Sequence, residues 1–274
     1  MRVPALNGTA LLVACAVLHA GQAPTPDLRD VVNAYIDRFV EMYSNIVAEE
    51  QIRQEADGPR AKRTIRSDFV VVRFPGPQLY VFRDAFEVDG QRVRDPEDER
   101  LPKLFDEPTM AALTHAQALS NATTRHYVRE IGTVNNPLLV ISLLQRTNRH
   151  RFLLSVAGKE GSLGPTIRRI GFKEVATPTV LRWGGNIDMP AEGRLWVDEP
   201  SGRIVKTELK LGERDIRSPS TVAWRPPTVV TVTFGTDEAL GIDVPLEMRD
   251  TYPMDRGEVR GVTTYSRFRR LGRR

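Results

Sequence analysis

Cysteine is almost absent. Cys15 is the only one in 274 residues, so no internal disulfide can form and a packed core must hold the fold together. Catalytic signatures are missing too. There is no H-E-x-x-H, G-x-S-x-G, S-x-x-K, P-loop or G-x-G-x-x-G, and with them go the recognisable marks of zinc proteases, serine hydrolases and nucleotide enzymes. No excess of one charge appears, with 39 Lys and Arg against 35 Asp and Glu, interspersed along the chain. Aromatic and basic residues do not alternate, and no helix-turn-helix or finger spacing is present, so a nucleic-acid partner is not expected. Beyond the first residues no apolar run is long enough for a membrane helix, which needs about 20 residues.

What is present begins with a targeting signature. Arg2 is the only charge before Asp27, an apolar stretch runs from Ala10 to Ala20, and small residues follow at Gly21 and Ala23. These are the parts of a secretory signal peptide, predicted over residues 1–23, leaving a single domain over 24–274 in the periplasm or outside the cell. Leu12-Val13-Ala14-Cys15 also resembles a lipobox, which would make Cys15 a lipid anchor, although the apolar run continues past it through Val17 and Leu18.

The mature chain opens with a helix. Thr25-Pro26 reads as its cap, and Val31, Val32, Tyr35, Ile36, Phe39, Val40, Tyr43, Ile46 and Val47 recur at helical spacing up to a stop at Gly58-Pro59. Strands are predicted over 69–74 and 79–88, the second closed by the hairpin-type pair Asp89-Gly90. Residues 95–106 read as a short helix or loop. Thr109 to Val128 reads as a helix offering Met110, Leu113, Ala116, Ala118 and Leu119 for burial, and a short apolar helix spans 138–144. From Phe152 the pattern alternates between apolar and polar. Val205, Thr207, Leu209 and Leu211 oppose Lys206, Glu208 and Lys210; Val230, Val232 and Phe234 alternate with threonines; Val244, Leu246 and Met248 alternate with charges. That is the mark of an antiparallel sheet with one buried face. Gly158 to Gly164 and Asp198 to Gly202 read as turns, and 213–227, with three prolines, as a longer loop.

Side chains that could carry chemistry are scattered. His115 and His126 would share a face of one helix but lack a further ligand. His150 lies in a polar turn. Glu49-Glu50 and Asp95 to Glu99 read as solvated charge, and Asn7 and Asn121 match a glycosylation pattern. Trp183, Trp196 and Trp224 fit either a ligand wall or core packing, with Trp196 pointing away from Leu195 and Val197. No metal or cofactor is expected. Arg267, Arg269, Arg270, Arg273 and Arg274 form a basic end that reads as a solubilising, frayed tail or as a contact for phosphates or anionic lipid.

Gly193-Arg194-Leu195-Trp196-Val197-Asp198-Glu199-Pro200-Ser201-Gly202-Arg203-Ile204-Val205 resembles a strand–turn–strand run of the LolA/LolB-like lipoprotein-carrier fold. Val244 to Met248 and Tyr265 to Arg269 resemble its later strands. Phe82-Arg83-Asp84 and Val88-Asp89-Gly90 resemble a stretch found in exported bacterial proteins. The resemblance covers about a third of the chain, and residues 95–145 are longer and more helical than a minimal carrier. It implies what the periodicity also predicts: an α+β fold, a large curved antiparallel sheet or half-barrel covered by an N-terminal helix and additional helices. It further implies a non-catalytic envelope protein holding a lipid or lipoprotein acyl chains, with Leu195, Val197, Val205, Leu209, Val230, Val232, Leu246 and Met248 lining the cavity. Other readings are a structural, sensor or interaction module with a packed core and a protein partner, and an enzyme whose site would be a cluster of buried polar residues.

Overall fold

A computed structural model describes residues 26–57, 62–74, 76, 78–128, 134–183, 187–212, 228–254 and 257–272. The expected signal peptide, Cys15, Trp224 and the proline-bearing loop lie outside these residues.

Helix α1 runs Leu28–Met42, capped by Asp27, whose carboxylate accepts from the Arg29 N–H at 2.9 Å. It buries Val32, Tyr35, Ile36, Phe39 and Val40. The helix is shorter than the periodicity predicts. Asn45 takes a left-handed conformation (φ 58°), a state asparagine tolerates well, and the chain turns into strand β1, Ile46–Ala56. Ile46 and Val47, expected on the helix, belong to this strand. Their apolar pair fits either period, and the alternating burial of Ile46, Ala48, Glu50, Ile52, Gln54 and Ala56 decides for the strand.

Strands β2 (Lys62–Arg73) and β3 (Leu79–Val88) follow, and Asp89 and Gly90, both at positive φ, turn into the short β4 (Gln91–Arg92). Helix α2 (Arg100–Lys103), helix α3 (Met110–Thr124) and helix α4 (Leu139–Leu143) interrupt the strands. The remainder is β5 (Phe152–Lys159), β6 (Ile167–Glu174), the small pair β7 (Arg182–Trp183) and β8 (Ile187–Asp188), then β9 (Ala191–Asp198), β10 (Ile204–Leu211), β11 (Thr228–Asp237), β12 (Ile242–Pro253) and β13 (Glu258–Arg270).

Eleven strands form one open antiparallel sheet in the order β4-β3-β2-β1-β13-β12-β11-β10-β9-β6-β5. The first long strand pairs with the last, Glu50 opposite Tyr265, and this pairing joins the β4–β1 wing to the rest. Helix α1 and the segment around α4 cover the inner face. Val32, Ile36, Phe39, Leu138, Ile141 and Leu144 pack in one core with Ile170, Leu195, Leu209, Val230, Val232 and Met248. Phe39 stacks on Tyr43 at 5.0 Å and meets Phe234 edge-on at 6.1 Å.

Helix α3 does not share in that cover. It lies along the β3 edge: the Ser120 hydroxyl accepts from the Arg83 N–H at 2.8 Å and the Thr123 hydroxyl from the Ala85 N–H at 3.0 Å. Leu113 and Ala116 are buried there, whereas Met110 and Ala118 are exposed. With Leu101 and Phe105, α3 closes a second core over Val47, Val70, Val72 and Phe82. At β1–β3 the sheet is therefore covered on both faces, which is why Val70-Val71-Val72 is an unbroken apolar run and not an alternating one. The expected polar outer face holds only farther along the sheet.

Candidate functional site: the inner face of the half-barrel

Cross-strand register places Ile170, Leu195, Val197, Thr207, Leu209, Val230, Val232 and Met248 on one wall. Six of the predicted lining residues, Leu195, Val197, Leu209, Val230, Val232 and Met248, are buried there against the chain's own helices. The other two lie differently. A bulge between Ile204 and Lys206 turns Val205 off the wall and puts Ile204 on it. A second bulge, opposite Thr233 and Phe234, frees Leu246, which lies over Gly235 and is 46% exposed. Trp196 points to the outer face as expected, with the Lys206 ammonium 4.7 Å from its ring centre.

The same inner face changes character toward β1–β3 and the ends of β12 and β13. Glu50 is 0% exposed. Arg83 donates from Nε to both of its oxygens at 2.7 and 2.9 Å, and Ser67 Oγ donates to Oε1 at 2.9 Å. The guanidinium also lies over the Phe69 ring at 5.3 Å. Asp250 is buried on β12, where Tyr252 donates its hydroxyl to Oδ2 at 3.1 Å and in turn accepts from the Val134 N–H at 2.9 Å. Gly261 makes room for this carboxylate, since a Cβ there would stand 2.0 Å from Oδ1. Tyr127 accepts from Asn135 Nδ2 at 2.6 Å, and the Gln54 side chain accepts from the Val128 N–H at 3.0 Å. Arg83 Nη2 is buried with no hydrogen-bond partner.

Burial sets the electrostatics of this cluster. It pushes Glu50 above the ordinary carboxylate value, against the opposing pull of Arg83. It pulls the Arg83 guanidinium down, but the Glu50 charge, the Tyr127 and Tyr265 phenols and the hydrogen bond to Glu50 together outweigh it, and Arg83 stays protonated. Asp250 is raised to about 6, chiefly by burial, with the Tyr252 hydroxyl opposing. A carboxylate raised in this way can hold a proton near neutrality, and no group of three His, Cys, Asp or Glu residues is placed to hold a metal among the described residues. Its ties to Val128 and Val134, and that of Tyr127 to Asn135, are those of a buried polar joint.

The sequence reading missed this cluster because it assigned Glu49-Glu50 to solvated charge. Only strand register separates the pair: Glu50 faces inward, while Glu49 takes Arg66 at 2.5 Å and Arg267 at 2.9 Å on the outside. The Phe82-Arg83-Asp84 stretch divides the same way, with Asp84 turned outward to Arg94 and Arg100. His115 lies on α3, but His126 lies past its end, so they do not share a helix. The basic end is a strand and not a frayed tail as far as it is described. Arg267 pairs with Glu49, Arg269 with Glu99 at 2.5 Å, and Arg270 donates to the carbonyls of Met42 and Ser44 at the end of α1. An open depression of about 530 Å³ between α2 and α3, lined by Lys103, Asp106, Glu107 and His115, lies apart from the inner face.

No protein-family model and no curated protein matches the chain. Among solved structures it is similar to a LolA superfamily protein from Nitrosomonas europaea, with 12% identity, 88% of this chain and 94% of that chain covered, and a TM-score of 0.41. It is similar also to a domain named for outer membrane lipoprotein sorting from Vibrio parahaemolyticus, with 10% identity, 90% and 94% covered and a TM-score of 0.43. A DUF1329 family protein from Desulfovibrio piger is a third, with 11% identity, 90% and 93% covered and a TM-score of 0.39.

Proposed function

We propose that the protein is a non-catalytic interaction module of the cell envelope, closed on a packed core and acting through its surfaces on a protein partner. The observation that carries this is the filled inner face. Leu195, Val197, Leu209, Val230, Val232 and Met248 are at most 3% exposed, and what covers them is α1 and the α4 segment, not open space.

A second reading, a carrier of lipid or lipoprotein acyl chains, has its own support. Thr207 Oγ1 on the sheet, the Tyr43 hydroxyl just after α1 and Gln145 Nε2 just after α4 are buried without hydrogen-bond partners. Such groups each cost roughly 1–3 kcal/mol, so the cover fits the sheet imperfectly. An entering chain would contribute roughly 0.8 kcal/mol per buried methylene and would have to displace Ile36, Phe39 and Ile141 from the wall.

Native mass spectrometry of the protein purified without detergent, before and after incubation with phospholipid and a diacylated lipopeptide, separates the two. A bare mass throughout supports the interaction module. A stable lipid adduct establishes the carrier and overturns the first reading.

A further inference from the structure

The two edges of the sheet are treated in opposite ways. At the β3 edge, Ser120 and Thr123 take up the free amides of Arg83 and Ala85, and β4 covers part of the remainder. At the other end, among the described residues, β5 pairs with β6 alone. The Val175 N–H donates to the Arg151 carbonyl, so in this antiparallel ladder residues 151, 153 and 155 point their backbone groups at β6. The N–H and C=O groups of Leu154 and Val156 and the Phe152 carbonyl point outward along the open edge, whereas the Phe152 N–H donates to the Arg149 carbonyl.

From Phe152 to Val156 this edge lacks the devices that keep edges from pairing, and a bulge follows only between Val156 and Lys159. Phe152 to Gly158 contains no charge and no proline. Leu153 is 64% exposed and Val156 41%, and the exposed Val175 and Leu163 lie beyond opposite ends of the strand. Flanking cations are partly neutralised, Arg149 by Asp37 at 2.8 Å and Arg151 by Glu174 at 3.4 Å.

We propose that β5 pairs antiparallel with β5 of a second copy of this chain. The parity of the strand selects the register. Centred on Leu154 opposite Leu154, it sets Phe152 opposite Val156, so both groups of Leu154, the Val156 N–H and the Phe152 carbonyl meet outward groups of the other copy, and only the Val156 carbonyl faces an N–H already held by Arg149. Leu153 falls opposite Ser155 and Arg151 opposite Ala157, and the one pair of like charges, Lys159 opposite Arg149, lies outside the ladder, where Arg149 is in the 3₁₀ turn and tied to Asp37. Shifting by two residues toward the C-terminus sets Arg151 against Lys159. Shifting toward the N-terminus draws in His150, which lies in a 3₁₀ turn. An antiparallel pair also brings the Val175 end of one copy toward the Leu163 end of the other. The ladder is short, so the dimer is weak and concentration-dependent. This proposal rests on the interaction-module reading and names its partner.

Sedimentation velocity from 1 to 500 μM tests it. A reversible monomer–dimer equilibrium is expected. Leu153→Lys, at an exposed site, should weaken it at least tenfold, and so should Val156→Pro, which removes an outward N–H and leaves the β6 ladder intact. With Cys15→Ser in place, Leu153→Cys combined with Ser155→Cys should yield an interchain disulfide under mild oxidation. A monomer throughout the range, or a dimer indifferent to both substitutions, overturns the pairing. A lipid adduct in the mass spectrum would overturn the parent reading while leaving the sedimentation result to stand or fall alone.

Discussion

Glu50 and Arg83 take opposite charges into the interior, and each is costly there without the other. Glu50→Gln, or Arg83→Met, should destabilise by about 3–5 kcal/mol, whereas replacing both with apolar residues of similar volume should cost far less. Urea unfolding of the two single variants and the double variant measures the difference. Asp250 adds a pH dependence of definite sign. Its folded pKa of about 6 stands above the ordinary 3.8, so the folded state binds the proton more tightly between those values. Stability therefore falls as pH rises from about 4 to about 6, by about 3 kcal/mol from this residue, and levels off above. Burial raises Glu50 in the same direction. Asp250→Asn should keep an acceptor for Tyr252, flatten much of that fall and raise stability at pH 7. Thermal unfolding across pH 4–8 reads both effects, and a variant that follows the parent curve would discount Asp250 as its source.

Among the elements, α3 does the least expected work. Its hydroxyls satisfy backbone amides that an edge strand would otherwise offer to another chain. Ser120→Ala with Thr123→Val should cost roughly 1–3 kcal/mol for each amide left buried and unpaired, and hydrogen exchange at Arg83 and Ala85 should speed up before the rest of β3. Strand β9 offers a second test. A Cβ on Gly193 would meet the Glu208 carbonyl at 1.9 Å and the Phe172 ring at 2.7 Å, so Gly193→Ala should cost about 1–3 kcal/mol in overpacking. These two elements show where sequence patterns inform and where they stop. The wall of β9 to β12 was legible because Leu195, Val197, Leu209, Val230, Val232 and Met248 keep strict alternation. Val205 and Leu246 were misplaced because a bulge shifts the period by one residue and leaves no mark in composition. The end of α1 was misread because Ile46 and Val47 suit either period and only the left-handed turn at Asn45 separates helix from strand. The Glu50 cluster was invisible because its members, on β1, β2, β3, β12 and β13, meet only through register.

At the scale of the whole molecule, the sheet has one finished edge and one open edge. A protomer with two open edges could add partners without end, whereas a twofold contact at a single open edge closes after one addition. The sedimentation experiment should therefore reach a plateau at the dimer mass, with no larger species at the highest concentration. Proline at position 156 should abolish the plateau without changing the fold.

The pairing of β1 with β13 bears on the order in which the molecule can assemble. Ile46 lies opposite Arg270, 224 residues away along the chain. Until β13 is available, β1–β3 and β5–β12 have no common seam, and α1, which precedes β1 yet packs over the other wing, has no settled place. Contacts so distant in sequence make for slow folding, because the entropy of closing the loop is lost before the contacts offset it. An emerging chain would therefore hold its two wings apart until β13 was made, and the joining of the wings is the step that sets the pace.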